Sequence, residues 1–180
     1  MRHIIVHLVR GEASQVHIGI TKDLTEKFDT FPLHNRISPH LTLKRWFELD
    51  EVGMAKIYET LGAFSKAHRQ SNYKIQGFGS FNKDVIYEDI QPSPEMTSSL
   101  ADLRKRLHEV ENLTFDEFDE VDELHATVVM GALKPFNFDE IWDYLSKGKY
   151  PDFNMKFDNI AVLKKESNMW VVDRVWEIKP

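Results

Sequence analysis

The stretch His40-Leu41-Thr42-Leu43 returns as His125-Ala126-Thr127-Val128, and the two together decide how the chain is read. Each is His-x-Thr-apolar inside a run of alternating polar and apolar residues, the pattern of a strand with one buried face. Residues i and i+2 of a strand project to the same side. His40 therefore shares a face with Thr42, and His125 with Thr127, while Leu41, Leu43, Ala126 and Val128 turn towards a core. With eight histidines and eight threonines in 180 residues, only about 0.4 such triplets arise by chance, the background that short motifs must beat.

Outward from these strands, the chain has a regular order. Strands are predicted at 3–9, 40–47, 73–79, 83–90, 125–130, 155–163 and 169–178. A helix over 13–28 carries Val16, Ile20, Leu24 and Phe28 on one stripe. A second, over 52–69, is capped by Asp50 and buries Met54, Ile57, Leu61 and Phe64. A third opens at Pro92-Ser93-Pro94 and runs through Met96, Leu100, Leu103, Leu107 and Val110. A fourth covers 137–147. The order is β-α-β-α-β twice, plus one strand, within a single domain 1–180 whose pseudo-repeats span about 1–81 and 82–180. The histidines stand 85 residues apart, and both triplets fall on the second strand of a half. If the halves pack about a pseudo-twofold, the two imidazoles meet across one cleft.

Composition narrows the function. A chain of 180 residues with 42% hydrophobic content can bury one sizeable core or two lobes sharing it. No apolar run approaches the roughly 20 residues of a membrane span, and Ile4 to Val9 is too short for a signal-peptide core. The absence of cysteine excludes disulfides and thiol catalysis and fits a cytoplasmic protein. A formal charge of −6 disfavours long nucleic acid, whose binding needs a broad basic surface.

The paired motifs, on matched strands in a chain of this length, resemble those of the two-histidine (2H) phosphoesterase superfamily, which includes 2'-5' RNA ligase-like proteins and 2',3'-cyclic nucleotide phosphodiesterases. Ser38-Pro39-His40-Leu41-Thr42-Leu43-Lys44 is similar to the first motif of its bacterial members, and His125-Ala126-Thr127-Val128 to the second. The resemblance implies an α+β fold: duplicated halves forming two lobes, with antiparallel sheets around a central cleft. It implies metal-independent reaction at a 2',3'-cyclic phosphate or a 2'-5' linkage, without cofactor, on a small nucleotide or short RNA end. His40 and His125 match the catalytic histidines, and Thr42 and Thr127 the hydroxyls that hold phosphate oxygens. The acidic run from Asp116 to Glu123 is a departure that argues against a long RNA substrate.

The residue types suit that chemistry. In-line displacement at phosphorus removes one proton and delivers another on the opposite side, and two imidazoles with ordinary pKa near 6.5 can do both. The acidic run beside His125 would favour its imidazolium, which points to His125 as acid. Lys44 is expected on the His40 face, within reach of phosphate, or as the solvated end of its strand. Phe78, Phe81, Tyr87 and Trp170 can stack on a base or fill the core. The acidic run itself reads as a solvated loop anchored by Phe115, Phe118, Val121 and Leu124. His3, His7, His17, His34, His68 and His108 have no partner motif and are expected in surface or structural roles, and no spacing indicates a metal site. A non-catalytic nucleotide-binding module and an RNA-end ligase remain as alternatives.

Overall fold

The computed structural model describes residues 1–120 and 123–180. In chain order the elements are β1 (His3–Leu8), α1 (Gly11–Phe28), β2 (His40–Phe47), α2 (Glu51–Ala67), β3 (Ser71–Phe81), β4 (Val85–Pro92), α3 (Pro94–His108), β5 (His125–Met130), α4 (Phe138–Lys147), β6 (Asp152–Phe157), β7 (Asn159–Glu166) and β8 (Met169–Glu177). Short 3₁₀ turns occupy Leu33–Asn35 and Glu117–Asp119. The expected helix starts are supplied by local chemistry. The Asp50 carboxylate accepts from Gly53 N at 2.8 Å, and the Ser93 hydroxyl from Met96 N at 3.2 Å, with Pro94 at the first turn.

Two four-stranded antiparallel sheets result, ordered β2-β1-β7-β8 and β5-β4-β3-β6. The stretch 155–163, expected as one strand, is two: the chain turns at Asp158 and changes sheets. The alternation of Phe153, Met155 and Phe157 stops at Asp158-Asn159, where the unbroken apolar run Ile160 to Leu163 begins, and that change of pattern marks the turn. The two sheets are related as the motif offset implies, β2 with β5 and β1 with β4. The third strand of each half is exchanged: β3 pairs with β4, and β7 with β1.

One core serves both sheets. Ile5, Leu41 and Val162 meet Tyr73, Ile75 and Ala126, closed by Ile57, Leu61 and Phe64 of α2 and by Met96, Leu103 and Leu107 of α3. The apolar helix stripes supply the burial that offsets chain entropy. A polar bridge crosses this core. His7 donates from Nδ1 to the Asn159 carbonyl at 2.9 Å, so its Nε2 accepts from the Tyr73 hydroxyl at 3.0 Å. Burial pushes His7 down to about 4, as a histidine held neutral requires.

Helix α1 departs from expectation by one position. Its buried residues are Ala13, His17, Thr21 and Leu24, while Ile20 and Phe28 are only partly buried, against the Ile86–Val128–Ile141 cluster. Polar side chains occupy the inner stripe because partners await them: His17 Nδ1 lies 2.8 Å from the Glu88 carboxylate of β4.

Candidate active site

The faces opposite the shared core carry the motifs. On the first sheet, His40 pairs with Leu8 and Thr42 with Val6. On the second, His125 pairs with Asp89 and Thr127 with Tyr87. Directly after each threonine the ladder slips by one residue. Leu43 is the extra residue between Val6↔Thr42 and Ile5↔Lys44. Val128 is the extra residue between Tyr87↔Thr127 and Ile86↔Val129. A bulge of this kind bends a strand and re-aims the side chains beyond it, and here it occurs twice at the 85-residue offset of the motifs.

The imidazoles are anchored alike. His40 Nδ1 lies 2.8 Å from the carbonyl of Ser38, and His125 Nδ1 lies 3.0 Å from the carbonyl of Glu123. A carbonyl only accepts, so Nδ1 carries the proton in both rings. Nε2 is left to take or give one. A positive charge on His125 would disfavour one on His40. Both rings are half-buried. The Thr42 and Thr127 hydroxyls share their faces and have no hydrogen-bond partner among the described residues.

Their surroundings differ. Burial, outweighing the Ser38 bond and helped by positive charge on His17 or His125, lowers His40 to about 4. Burial also lowers His125, but the Glu123 carbonyl and carboxylate pull in the other direction. The acidic neighbour expected to favour the His125 imidazolium therefore acts as foreseen, and burial outweighs it.

Aromatic rings wall the His125 side. Tyr87 lies 5.3 Å and Phe81 4.9 Å from the His125 ring, centroid to centroid, and 4.4 Å from one another. Gly79 makes this possible: a Cβ there would stand 2.4 Å from the Tyr87 ring. Burial, then the carboxylates of Glu123 and Asp89, raise the Tyr87 hydroxyl above its usual pKa, keeping it a donor. Phe78 lies on the opposite face, opposite Glu88 and packed with Ile86 and Leu24. Trp170 is two strands further along the first sheet from β1, packed with Leu163 and Val6.

Two expectations fail for one reason. Lys44 does not share the His40 face, because the bulge at Leu43 turns it inward. It is 2% exposed and bonded to Asp119 at 2.8 Å. The acidic run is accordingly more than a solvated loop, since it delivers Asp119 to that lysine. Phe115 and Leu124 pack on the core as expected. Phe118 does not, being 61% exposed beneath the Arg45 guanidinium. Val121 lies outside the described residues. No group of three or more metal-type side chains comes together among the described residues, and no described helix is long and apolar enough to cross a membrane.

Known proteins share this frame. A model of the 2'-5' RNA ligase superfamily matches residues 14–168. A protein of Oceanobacillus iheyensis bearing a provisional phosphoesterase name is 28% identical over 157 residues, covering 83% of this chain and 84% of its own. The crystal structure of TT0787 from Thermus thermophilus superposes with a TM-score of 0.73 at 13% identity, over 99% of this chain and 98% of that one. E. coli LigT in complex with 3'-AMP superposes with a TM-score of 0.62 at 12% identity, over the same shares. With its fold, its two anchored histidines and a family match over most of its length, the chain belongs to the 2'-5' RNA ligase superfamily, the 2H phosphoesterases.

Proposed function

We propose that this protein is a cytoplasmic, metal-independent phosphoesterase that hydrolyses a 2',3'-cyclic phosphate or 2'-5' phosphodiester in a small nucleotide or short oligonucleotide. The observation that carries this reading is the matched pair of imidazoles, each fixed through Nδ1 with Nε2 left free among the described residues, on the same strand face as a threonine. His40, the more strongly depressed of the two, is neutral at the working pH and acts as base. His125, with Glu123 favouring its charged form, acts as acid.

For a cyclic phosphate, His40 Nε2 takes a proton from water as its oxygen attacks phosphorus. The bond from phosphorus to one ribose oxygen breaks, and His125 Nε2–H protonates that oxygen as it leaves. The product is a nucleoside monophosphate. Thr42 and Thr127 hold the non-bridging oxygens, where donors favour the charge of the transition state. The Phe81–Tyr87 wall gives a base or ribose an apolar surface beside His125. The LigT crystal complexes with 3'-AMP and with ATP support a nucleotide-sized ligand.

The test is steady-state hydrolysis of the four 2',3'-cyclic nucleotides and short 2'-5' oligonucleotides by wild type and the His40→Ala and His125→Ala proteins. Turnover that requires both histidines is the expected result. Turnover indifferent to either would overturn the assignment.

A further inference from the structure

A second polar construction joins the two motif strands. Lys44 and the Asp119 carboxylate form an ion pair of 2.8 Å, each side chain 2% exposed. The other Asp119 oxygen accepts the Arg45 backbone N–H at 2.8 Å, and the lysine-bonded oxygen also accepts Asp116 N at 3.0 Å. Asp116 completes the knot. It caps the 3₁₀ turn through Phe118 N and Asp119 N, and binds the Arg45 guanidinium at 2.8 Å. β2 is an edge strand, so the Arg45 N–H that Asp119 takes is one that a neighbouring strand would otherwise fill. Burial disfavours the Asp119 charge, yet the Lys44 bond and the two backbone donors outweigh it and hold the carboxyl below its usual range.

Placement gives the pair its meaning. Lys44 stands four residues after His40 on one strand, and Asp119 six residues before His125 on the approach to the other. We propose that Lys44 and Asp119 are positioning residues for the two-histidine reaction, a buried clamp that locks β2 to the segment delivering β5 and so sets the separation of the two imidazoles. The proposal rests on the phosphoesterase reading above. Stability alone would not call for this construction, because a buried ion pair contributes little net stability relative to a well-packed apolar pair of similar volume. The second half shows that alternative at the equivalent position, where the bulge turns Val129 into an apolar cluster. Small misplacements of reacting groups cost rate far more than they cost binding.

The experiment compares wild type with Asp119→Asn, with the apolar double replacement Lys44→Met/Asp119→Leu, and with Asp116→Ala, which loosens the exposed end of the knot. Substrate is the cyclic nucleotide that wild type turns over fastest. The double replacement is expected to melt within a few degrees of wild type, while kcat falls about 10–100-fold and KM changes less than about threefold. Asp116→Ala is expected to fold and to lose kcat by a smaller factor. His40→Ala, run alongside, separates the two claims. If His40→Ala keeps wild-type turnover, the phosphoesterase reading fails. If turnover needs His40 but folded Asp119→Asn, double-replacement and Asp116→Ala proteins keep wild-type kcat, or lose only thermal stability, the clamp is structural and the positioning proposal is overturned.

Discussion

Strands β2 and β5 carry the same three devices: a histidine anchored on the carbonyl two residues back, a threonine on its face, and a bulge directly after it. They differ in what the bulge turns inward. β2 buries Lys44, which requires Asp119, whereas β5 buries Val129 among apolar neighbours. They also differ around the rings. His40 lies within reach of charge on His17, and His125 within reach of Glu123 and the Phe81–Tyr87 wall. Backbone geometry is what the halves share, and the surroundings distinguish them. Equivalent frames can thus hold chemically unequal histidines.

The sharpest way to break the comparison is to remove either imidazole. His40→Ala and His125→Ala should each slow turnover by roughly 10²–10⁴-fold, the usual scale of a positioned acid or base. The double variant should be little worse than the poorer single one if the pair acts as a unit; two independent, additive losses in kcat would contradict that.

A lysine placed in the apolar member of the pair comes next. Val129→Lys gives the second bulge the residue of the first without a carboxylate, and should cost about 3–5 kcal/mol in urea unfolding, the scale of an uncompensated buried charge. A near wild-type midpoint would mean that the site admits water.

Thr42→Ala and Thr127→Ala sharpen the likeness. Each should reduce kcat/KM by about 10–100-fold, as loss of a hydrogen bond to a charged oxygen worth about 1.5–3 kcal/mol predicts. A large effect at one and none at the other would show that the phosphate sits closer to one half.

The pH profile reads the unlike surroundings. His40 must be neutral, so kcat/KM should rise with pH through about 4. His125 must be protonated, and its pKa is lowered from 6.5, so activity should fall again as the pH rises through a value below 6.5. Both limbs belong to the coupled pair. A profile flat between pH 4 and pH 8 would remove the acid–base division. The smallest effect concerns metal: exhaustive dialysis against EDTA should leave turnover unchanged, and a loss restored by zinc would point to Lewis-acid chemistry instead.

Much of this site is legible in the sequence. His-x-Thr alternation places the imidazole and hydroxyl on one face because strand periodicity is local, and that is where His40, Thr42, His125 and Thr127 lie. The bulges are not legible, because a slip in register is a property of two strands, and nothing within Leu43 or Val128 announces it. Periodicity alone accordingly puts Lys44 on the wrong face, and it leaves Asp119 one acid among many. His17 escapes for a related reason. Its burial stems from Glu88, which lies 71 residues away, and a helical stripe drawn through apolar residues passes it by. One signal that could find it is its i, i+4 spacing from Thr21 and Ala13, a stripe of small and polar residues beside the apolar one of Val16, Ile20 and Leu24.

The exchange of third strands also bears on how the molecule comes into being. β1 is an interior strand of its sheet, yet its partner β7 is separated from it by some 150 residues, as the Leu8–Asn159 side-chain bond records. A chain emerging from the ribosome can pair β1 with β2 early, but the other edge of β1 must wait for nearly the whole sequence. Contacts this remote in sequence slow folding, and until they form, the apolar Ile4-Ile5-Val6 stretch keeps one open edge. Until then, that open edge is a place where another strand can pair wrongly, so the finished sheet depends on its last-made strands to protect its first.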